Sequence, residues 1–99
     1  MAAKRLEIHP EALAELKAAV TWYMARSEIS AQRFAEEIDR AVELVLDAPK
    51  RWPTHDHNTR KFALQRFPFA IVYRETENAV LILAIAHGHR EPEYWKLRL

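Results

Sequence analysis

The stretch AVLILAIAHGHREPEYWKLR, residues 79–98, joins the longest apolar run of the chain to a dense group of polar and aromatic side chains. Residues 79–86 carry no polar side chain, which predicts a buried strand in the interior of a sheet. Imidazole, guanidinium, phenol and indole groups follow within the next twelve residues: His87, His89, Arg90, Tyr94, Trp95 and Arg98. A buried strand that ends in such groups can hold a functional site rigidly.

The residues before this strand predict an antiparallel meander. Apolar and polar side chains alternate over residues 61–65, which is typical of a half-buried strand. Residues 67–69 contain a proline and form a turn, because proline is excluded from central strands. Residues 70–74 form the next strand, and residues 75–78 form the short hairpin connection to residue 79.

Two amphipathic helices precede the meander. A short strand over residues 5–8 leads to Pro10, which suits the first position of a helix that runs to about Arg26. Its predicted apolar stripe consists of Leu13, Leu16, Val20 and Tyr23, widened by Trp22 and Met24. Ser30 is the expected N-cap of a second helix, which ends at residues 47–49. The buried face of that helix is predicted to be Phe34, Ile38, Ala41, Val42, Val45 and Leu46.

The predicted fold class is α+β. One domain spans residues 1–99: an N-terminal strand, an antiparallel helical hairpin packed on a small antiparallel sheet, and a short C-terminal element from Pro92. The order of elements is β-α-α-β-β-β.

Composition excludes several classes of protein. There is no cysteine, so neither a disulfide framework nor a thiolate site is possible, and no apolar run approaches the length of a membrane span. The single glycine rules out a Gly-rich phosphate loop, and no cofactor is expected. The N-terminal residues lack the apolar core of a signal peptide, so we expect a cytoplasmic protein without membrane contact.

Charge is distributed unevenly along the chain. Residues 1–49 sum to −3 and residues 50–99 to +4, and four of the five histidines lie in the second half. A basic second half suggests contact with an anion, although chance accounts for such a difference about equally well.

Two His-x-His pairs, residues 55–57 and 87–89, have a spacing that can hold a metal ion on a strand. Because Gly88 interrupts regular strand geometry and His55 lies in a loop, we favour histidines without a metal.

A second candidate site is a basic sheet face for RNA. Guanidinium groups bind phosphate, aromatic rings stack on unpaired bases, and imidazole moves protons near neutral pH. The contributing side chains would be Arg60, Lys61, Arg66, Arg74, His89, Trp95 and Arg98, with His87 and Tyr94 nearby. Alternatively, Trp95 packs on the core and pins the C-terminus, which we favour for a tryptophan near a chain end.

The ordered set of motifs resembles the RelE/ParE superfamily of type II toxins. The motifs are HPEA at 9–12, WY at 22–23, AP at 48–49 with Phe34, Ile38 and Ala41 before it, RFPFAIVY at 66–73, and REPEYW at 90–95 after the strand that ends in His87. The long helical hairpin is more like the ParE branch.

The resemblance implies a toxin that is neutralised by a cognate antitoxin encoded beside it. ParE-like members inhibit DNA gyrase without cleaving anything, whereas RelE-like members cut mRNA on the ribosome. For a RelE-like reaction the resemblance implies Arg60 or Lys61 as the first basic group, Arg90 as the later arginine and Tyr94 as the C-terminal tyrosine. His87 or His89 would move a proton. Ala70 stands where those nucleases have a further arginine.

Three functions therefore remain open at the level of the sequence. The first is a growth-inhibiting toxin, of the plasmid-stabilisation or stress type, that binds a protein such as gyrase. The second is a ribosome-dependent mRNA interferase, and the third is a non-toxic interaction module. We favour the first, because Ala70 removes a group that would stabilise developing charge.

Overall fold

The computed structural model describes residues 4–99, except for the side chains of His55 and Asp56. Residues 1–3, the start of the predicted domain, lie outside the described part. The elements are β1 (Arg5–Ile8), α1 (Pro10–Met24), α2 (Glu28–Asp47), β2 (Thr54–His55), β3 (Thr59–Ala63), β4 (Phe69–Glu75), β5 (Ala79–His87) and a final 3₁₀ turn (Lys96–Arg98). The predicted α+β class is confirmed. Within the described residues, neither helix is long and apolar enough to cross a membrane.

Both helices begin at side-chain caps. The His9 ring nitrogen Nδ1 accepts a hydrogen bond from the Glu11 N–H at 3.1 Å, and Pro10 occupies the first helical position. Ser27 caps α2, because its hydroxyl accepts from the Ser30 N–H at 3.2 Å. The prediction of Ser30 as the cap was therefore wrong by three residues, and α1 ends at Met24 rather than near Arg26.

The sheet is mixed, with strand order β1-β5-β4-β3-β2. The meander β3-β4-β5 is antiparallel as predicted. The N-terminal strand β1 pairs in parallel with β5, from Arg5 opposite Ala79 to Ile8 opposite Ile82. The parallel pairing was not predicted, because side-chain patterns do not encode strand direction. It puts β5 in the interior of the sheet, as its composition indicated.

The helical hairpin packs on one face of the sheet, which we call the helix face. Its centre is a cluster of four aromatic rings whose neighbouring centroids lie 5.1–5.2 Å apart: Tyr23, Phe34, Phe67 and Phe69. Phe34 is fully buried, as the stripe of α2 predicted. The stripe of α1 was partly wrong. Ala12 and Ala19 are its most buried members, while Leu13 is exposed at its edge and Trp22 and Met24 are each 52% exposed.

The opposite face, here called the second face, is smaller and has a different cover. Tyr73 pairs with Ile82 but Val72 pairs with Ala84, so Leu83 is an extra residue that forms a bulge in β5. The bulge leaves Leu83 and Ala84 in one cluster with Val72, beneath the indole of Trp95. Residues 88–99, here called the C-terminal segment, thus cover the face that the helices leave open, through the indole of Trp95.

Candidate functional site

Two side chains hydrogen-bond the part of the β5 edge that β1 does not pair with. The parallel pairing stops at Ile82, where the bulge begins. The Glu15 carboxylate on α1 accepts the Ile85 N–H at 3.0 Å, and Arg98 donates to the Leu83 carbonyl oxygen at 3.0 Å. A carboxylate and a guanidinium therefore replace the strand that β1 no longer supplies.

These two side chains also bind each other. Arg98 donates from Nη1 and Nη2 to the two oxygens of Glu15 at 2.9 and 3.0 Å, a bidentate pair in which the Arg98 side chain is only 10% exposed. The Tyr94 hydroxyl donates to Glu15 Oε2 at 2.7 Å. We call Glu15, Tyr94, Arg98 and the two β5 backbone groups the Glu15 network. It binds the C-terminal segment to α1 and to β5.

The network shifts the titration of its members in ways that follow from its contacts. Burial raises the pKa of Glu15, but hydrogen bonds from Arg98, Tyr94 and the Ile85 N–H outweigh burial, and the pKa lies below its ordinary value. Burial and the hydrogen bond to Glu15 raise the pKa of Tyr94 well above the ordinary phenol value. Glu15 is thus a stable anion, and Tyr94 keeps its proton at neutral pH.

Two cations flank the Tyr94 ring. The guanidinium carbon of Arg90 lies 3.9 Å from the ring centroid and that of Arg98 lies 5.1 Å from it. Arg90 is exposed, whereas Arg98 is bound to Glu15. Stacking of this kind stabilises the ring position, so Tyr94 is held at its hydroxyl and over its ring.

Trp95 and Glu93 hold the middle of the C-terminal segment. Trp95 is 7% exposed and packs on the second face, which supports the core-packing alternative; its ring is not available for stacking on a base. Glu93 has a left-handed backbone (φ 61°) and its carboxylate lies 2.8 Å from His57 Nε2. The segment is therefore bound at three places along its length.

A cleft of about 850 Å³ lies between the C-terminal segment and the end of β3, β4 and β5. We call it the C-terminal cleft. Its basic lining groups are Lys61, His87 and Arg90, and its acidic ones are Glu91 and Glu93. Lys61 and Arg90 can bind an anionic group.

The basic residues predicted for one sheet face divide between both faces. Lys61 and Arg74 lie on the second face, since they pair with Val72 and Leu81 of that cluster. Arg60, the preceding residue of β3, lies on the helix face. Its guanidinium donates to the Trp52 carbonyl oxygen at 2.6 Å and to the Lys50 carbonyl oxygen at 3.2 Å.

Two further predicted binding residues lie away from an open basic face. Arg66 was expected on a strand but follows the end of β3, and its N–H points to Glu37 at 3.4 Å. Arg98 is bound within the Glu15 network. The expectation that the arginines share one open face was wrong, because strand alternation and the early end of β3 separate them.

The histidines at the end of β5 contact each other. The rings of His87 and His89 stack with centroids 5.1 Å apart, and His87 Nδ1 accepts the His89 N–H at 3.1 Å. Phe69 meets His87 edge-on. Among the side chains that the structure describes, no three His, Asp or Glu residues are grouped to hold a metal ion. The side chains of His55 and Asp56, part of the other predicted pair, lie outside the described residues.

Ala70 lies in the C-terminal cleft, opposite Ala63 and Ala86 on the adjacent strands, and is 5% exposed. Three alanines in a row supply no charged group at this level of the cleft. Ala70, which stands where the related nucleases have a further arginine, thus lines the cleft.

Glu15 was not identified from the sequence. One signal was present: Glu15 lies three residues after Ala12 and four before Ala19, the two most buried positions of α1. A carboxylate on the inner face of an amphipathic helix requires a buried partner. The partners, Tyr94 and Arg98, are about 80 residues away along the chain and could not be assigned without the fold.

A chain from a solved structure described as "Chromosomal ParDE TA system from P. aeruginosa" superposes with a TM-score of 0.75, over 86% of this chain and 96% of that one, at 21% identity. The likeness shows the same fold class. No curated protein sequence matches the chain.

The family model described as "ParE toxin of type II toxin-antitoxin system, parDE" matches residues 6–92. This match covers most of the chain, and the protein belongs to the ParE toxin family. The resemblance to the ParE branch is confirmed.

Proposed function

We propose that this protein inhibits growth by binding a protein target, DNA gyrase by analogy with its family, without cleaving RNA. In this proposal it acts in the cytoplasm and is neutralised by a cognate antitoxin. Membership of the ParE toxin family supports the toxin component, and the geometry of the C-terminal cleft supports the absence of cleavage.

The observation that carries the proposal is the hydrogen bond between the Tyr94 hydroxyl and Glu15. In a nuclease of the related branch the tyrosine and arginines would orient phosphate and move protons. Here the Tyr94 hydroxyl donates to Glu15 at 2.7 Å and its pKa is raised, so it has no free role as an acid or base. Arg98 is occupied by Glu15, and Ala70 supplies no charge.

Exposed basic groups near the cleft remain available to a target. Lys61 and Arg90 line the cleft and His89 lies beside it; all three are exposed, and Arg74 is half-buried on the same face of the sheet. Basic groups around a concave surface attract an acidic partner and fix its orientation. We therefore assign target binding to Lys61 and Arg90 first.

A supercoiling assay with purified gyrase tests the proposal. Wild-type protein is expected to inhibit gyrase, and the double charge reversal Lys61→Glu with Arg90→Glu to weaken inhibition at least about 10-fold, since both cations would face the target. The matched control is Arg33→Glu with Arg40→Glu, which changes net charge equally on α2. Gyrase that stays fully active while cells stop growing would overturn the proposal, and normal growth on expression alone would favour a non-toxic module.

One observation favours a ribosome-dependent mRNA interferase as a second candidate. Lys61, His87 and Arg90 line a single cleft, where two cations and an imidazole can meet a phosphate. Primer extension on translated mRNA would detect cuts in the ribosomal A site. Cuts that disappear in Arg90→Ala would establish this function in place of gyrase binding.

A further inference from the structure

A second concave surface lies between the C-terminal half of α1 and the end of the sheet where β4 begins and β5 ends. Its volume is about 410 Å³, within the range of about 300–1,000 Å³ that is typical of small-molecule sites. We call it the α1 pocket. Ala18 and Ala19 line it on the helix side, and Ile85, which is 2% exposed, lines it from β5. The pocket exists because two small side chains stand where larger ones would fill the space.

The other walls of the α1 pocket are mostly aromatic. Tyr23 and Phe69 line it and belong to the aromatic cluster of the helix face, and Trp22 is the exposed aromatic residue of the lining, at 52%. The indole of Trp22 is held by two contacts. The Arg26 guanidinium carbon lies 3.7 Å from its ring centroid, and the Tyr23 ring meets it edge-on with centroids 5.0 Å apart. An exposed indole that is already held in place loses little conformational entropy when a ligand packs on it.

Two nitrogen groups of the lining are free to donate hydrogen bonds. Arg90 is exposed, and within the described part of the chain its guanidinium forms no ion pair. Stacking on the Tyr94 ring at 3.9 Å holds this guanidinium in place. His87 Nδ1 accepts the His89 N–H, so the neutral ring carries its proton on Nε2 and donates there. A ligand must therefore offer acceptors at this end of the pocket.

Charge favours an anionic ligand with a single carboxylate. Glu15 is the one acidic group among the described lining residues, and its two oxygens already accept from Arg98, Tyr94 and the Ile85 N–H. A cationic ligand would have to displace Arg98 from Glu15, whereas an anion finds Arg90 unpaired. One guanidinium and one imidazole donor match the two oxygens of a carboxylate. A multiply charged phosphate would leave charge unpaired against apolar walls.

We propose that the α1 pocket binds a small aromatic carboxylate, with its ring on the apolar walls and its carboxylate at Arg90 and His87. Arg90 also lines the C-terminal cleft, so the bound acid would occupy a cation that the target needs. The ligand would thus relieve inhibition of the target. This consequence rests on the proposed function, which assigns Arg90 to target binding.

Indole-3-acetate is a suitable probe, and indole-3-acetamide has nearly the same shape without the charge. Titration into ¹⁵N-labelled protein is followed at the indole N–H resonances of the three tryptophans. The Trp22 resonance is expected to shift with a Kd of about 1 mM or below. Trp52 and Trp95, neither of which lines the α1 pocket, should not shift. The amide should bind at least about 10-fold more weakly than the acid, because it cannot form the charge-assisted contact.

Two variants separate the apolar part of the site from the charged part. Ala18 is exposed, so Ala18→Leu fills the pocket without disturbing the core and should weaken binding of both probes at least about 10-fold. The matched control is Ala14→Leu, one turn earlier on the exposed surface of α1, which should change Kd less than about 2-fold. Arg90→Gln should abolish the preference for the acid over the amide, whereas Arg40→Gln on α2 should keep it.

The gyrase supercoiling assay tests the competition. Indole-3-acetate at about ten times its Kd should raise the concentration of protein needed for half inhibition about 10-fold, because it occupies Arg90. Indole-3-acetamide at the same concentration is the control and should change that concentration by no more than about 2-fold. Gyrase alone with indole-3-acetate should keep its full activity.

The outcomes separate the two proposals. The absence of a shift at Trp22, equal affinity for acid and amide, or binding that leaves gyrase inhibition undiminished overturns this inference and leaves the proposed function intact. Gyrase that stays fully active without any probe overturns the proposed function, while the Trp22 titration still decides binding of the acid. Loss of gyrase inhibition in Ala18→Leu, when wild type binds neither probe, would assign the pocket to a side chain of the target and overturn the small-molecule site.

Discussion

The Glu15 network and a groove of about 690 Å³ between α2 and the outer edge of β3, here called the β3 groove, use the same kinds of side chain in opposite ways. In the network, Arg98 is 10% exposed and binds two carboxylates and a backbone carbonyl. In the groove, Arg33, Arg40 and Arg66 are exposed and have no ion pair among the described residues. Both regions lie beside a strand edge.

Two kinds of guanidinium group can thus be told apart in this fold: one whose charge stabilises the structure and one whose charge is free to bind a partner. A guanidinium that hydrogen-bonds a buried carbonyl oxygen and a carboxylate stabilises the folded state, and its loss leaves both partners without a donor. A guanidinium in water contributes little to folding and can bind a partner. The two regions should therefore respond differently to mutation.

Trp95→Ala gives the largest expected effect on the bound C-terminal segment. Removing a 7%-exposed indole from the second face should lower the free energy of unfolding by about 3 kcal/mol. Urea unfolding followed by circular dichroism measures it. Trp22→Ala, at a 52%-exposed tryptophan, is the control and should cost less than about 1 kcal/mol. Equal losses of stability in Trp95→Ala and Trp22→Ala would contradict the burial of Trp95 on the second face.

Glu15→Gln tests the network itself. Loss of the carboxylate leaves Arg98 without its bidentate partner and should cost about 2 kcal/mol at pH 7. Glu11→Gln is a close control, because Glu11 binds the same arginine at 3.2 Å from one turn earlier but is 66% exposed. Its cost should stay below about 0.5 kcal/mol. A larger loss of stability in Glu11→Gln than in Glu15→Gln would show that the network does not stabilise the fold.

The cost of Glu15→Gln should also depend on pH. The pKa of Glu15 is lower in the folded protein than in the unfolded chain, so its carboxylate stabilises the fold fully above about pH 4.3, the ordinary glutamate pKa. That contribution is lost as the pH falls through the folded pKa. The difference between wild type and variant should shrink between pH 7 and pH 3, and a constant difference would contradict it.

The smallest expected effect belongs to the β3 groove. Arg33→Gln with Arg40→Gln should change the free energy of unfolding by less than about 0.5 kcal/mol, because neither arginine has a partner to lose. The same urea titration measures it. A loss above about 1.5 kcal/mol would mean that these arginines hold the fold, and the contrast with Arg98 would disappear.

Much of the fold could be predicted because local patterns specify it. The period of α2 identified Phe34, Ile38 and Val45 as buried, and the apolar run of residues 79–86 identified an interior strand. The direction of β1 and the bulge at Leu83 could not be predicted, since both depend on which strands meet. Ser27 and Ser30 are equally suitable N-caps by residue type, so the sequence alone could not decide which of them begins α2.

The site was harder to predict than the fold. Arg90, His87 and Lys61 were expected at one place and do line one cleft. Core packing was favoured for Trp95 because it lies near the chain end, whereas Arg98 was expected as an exposed binding residue and proves to be bound to Glu15. Their partners come from α1 and from the far side of the sheet, and no local pattern encodes such contacts.

Growth arrest by Tyr94→Phe shows whether the Glu15 network is structural rather than catalytic. The variant loses one hydrogen bond to Glu15 and should be about 1 kcal/mol less stable while remaining folded. Induced at the same level as wild type, without antitoxin, it is expected to arrest growth to the same extent. Loss of growth arrest by a variant shown to be folded would contradict the account, because it would make the Tyr94 hydroxyl part of the toxic activity.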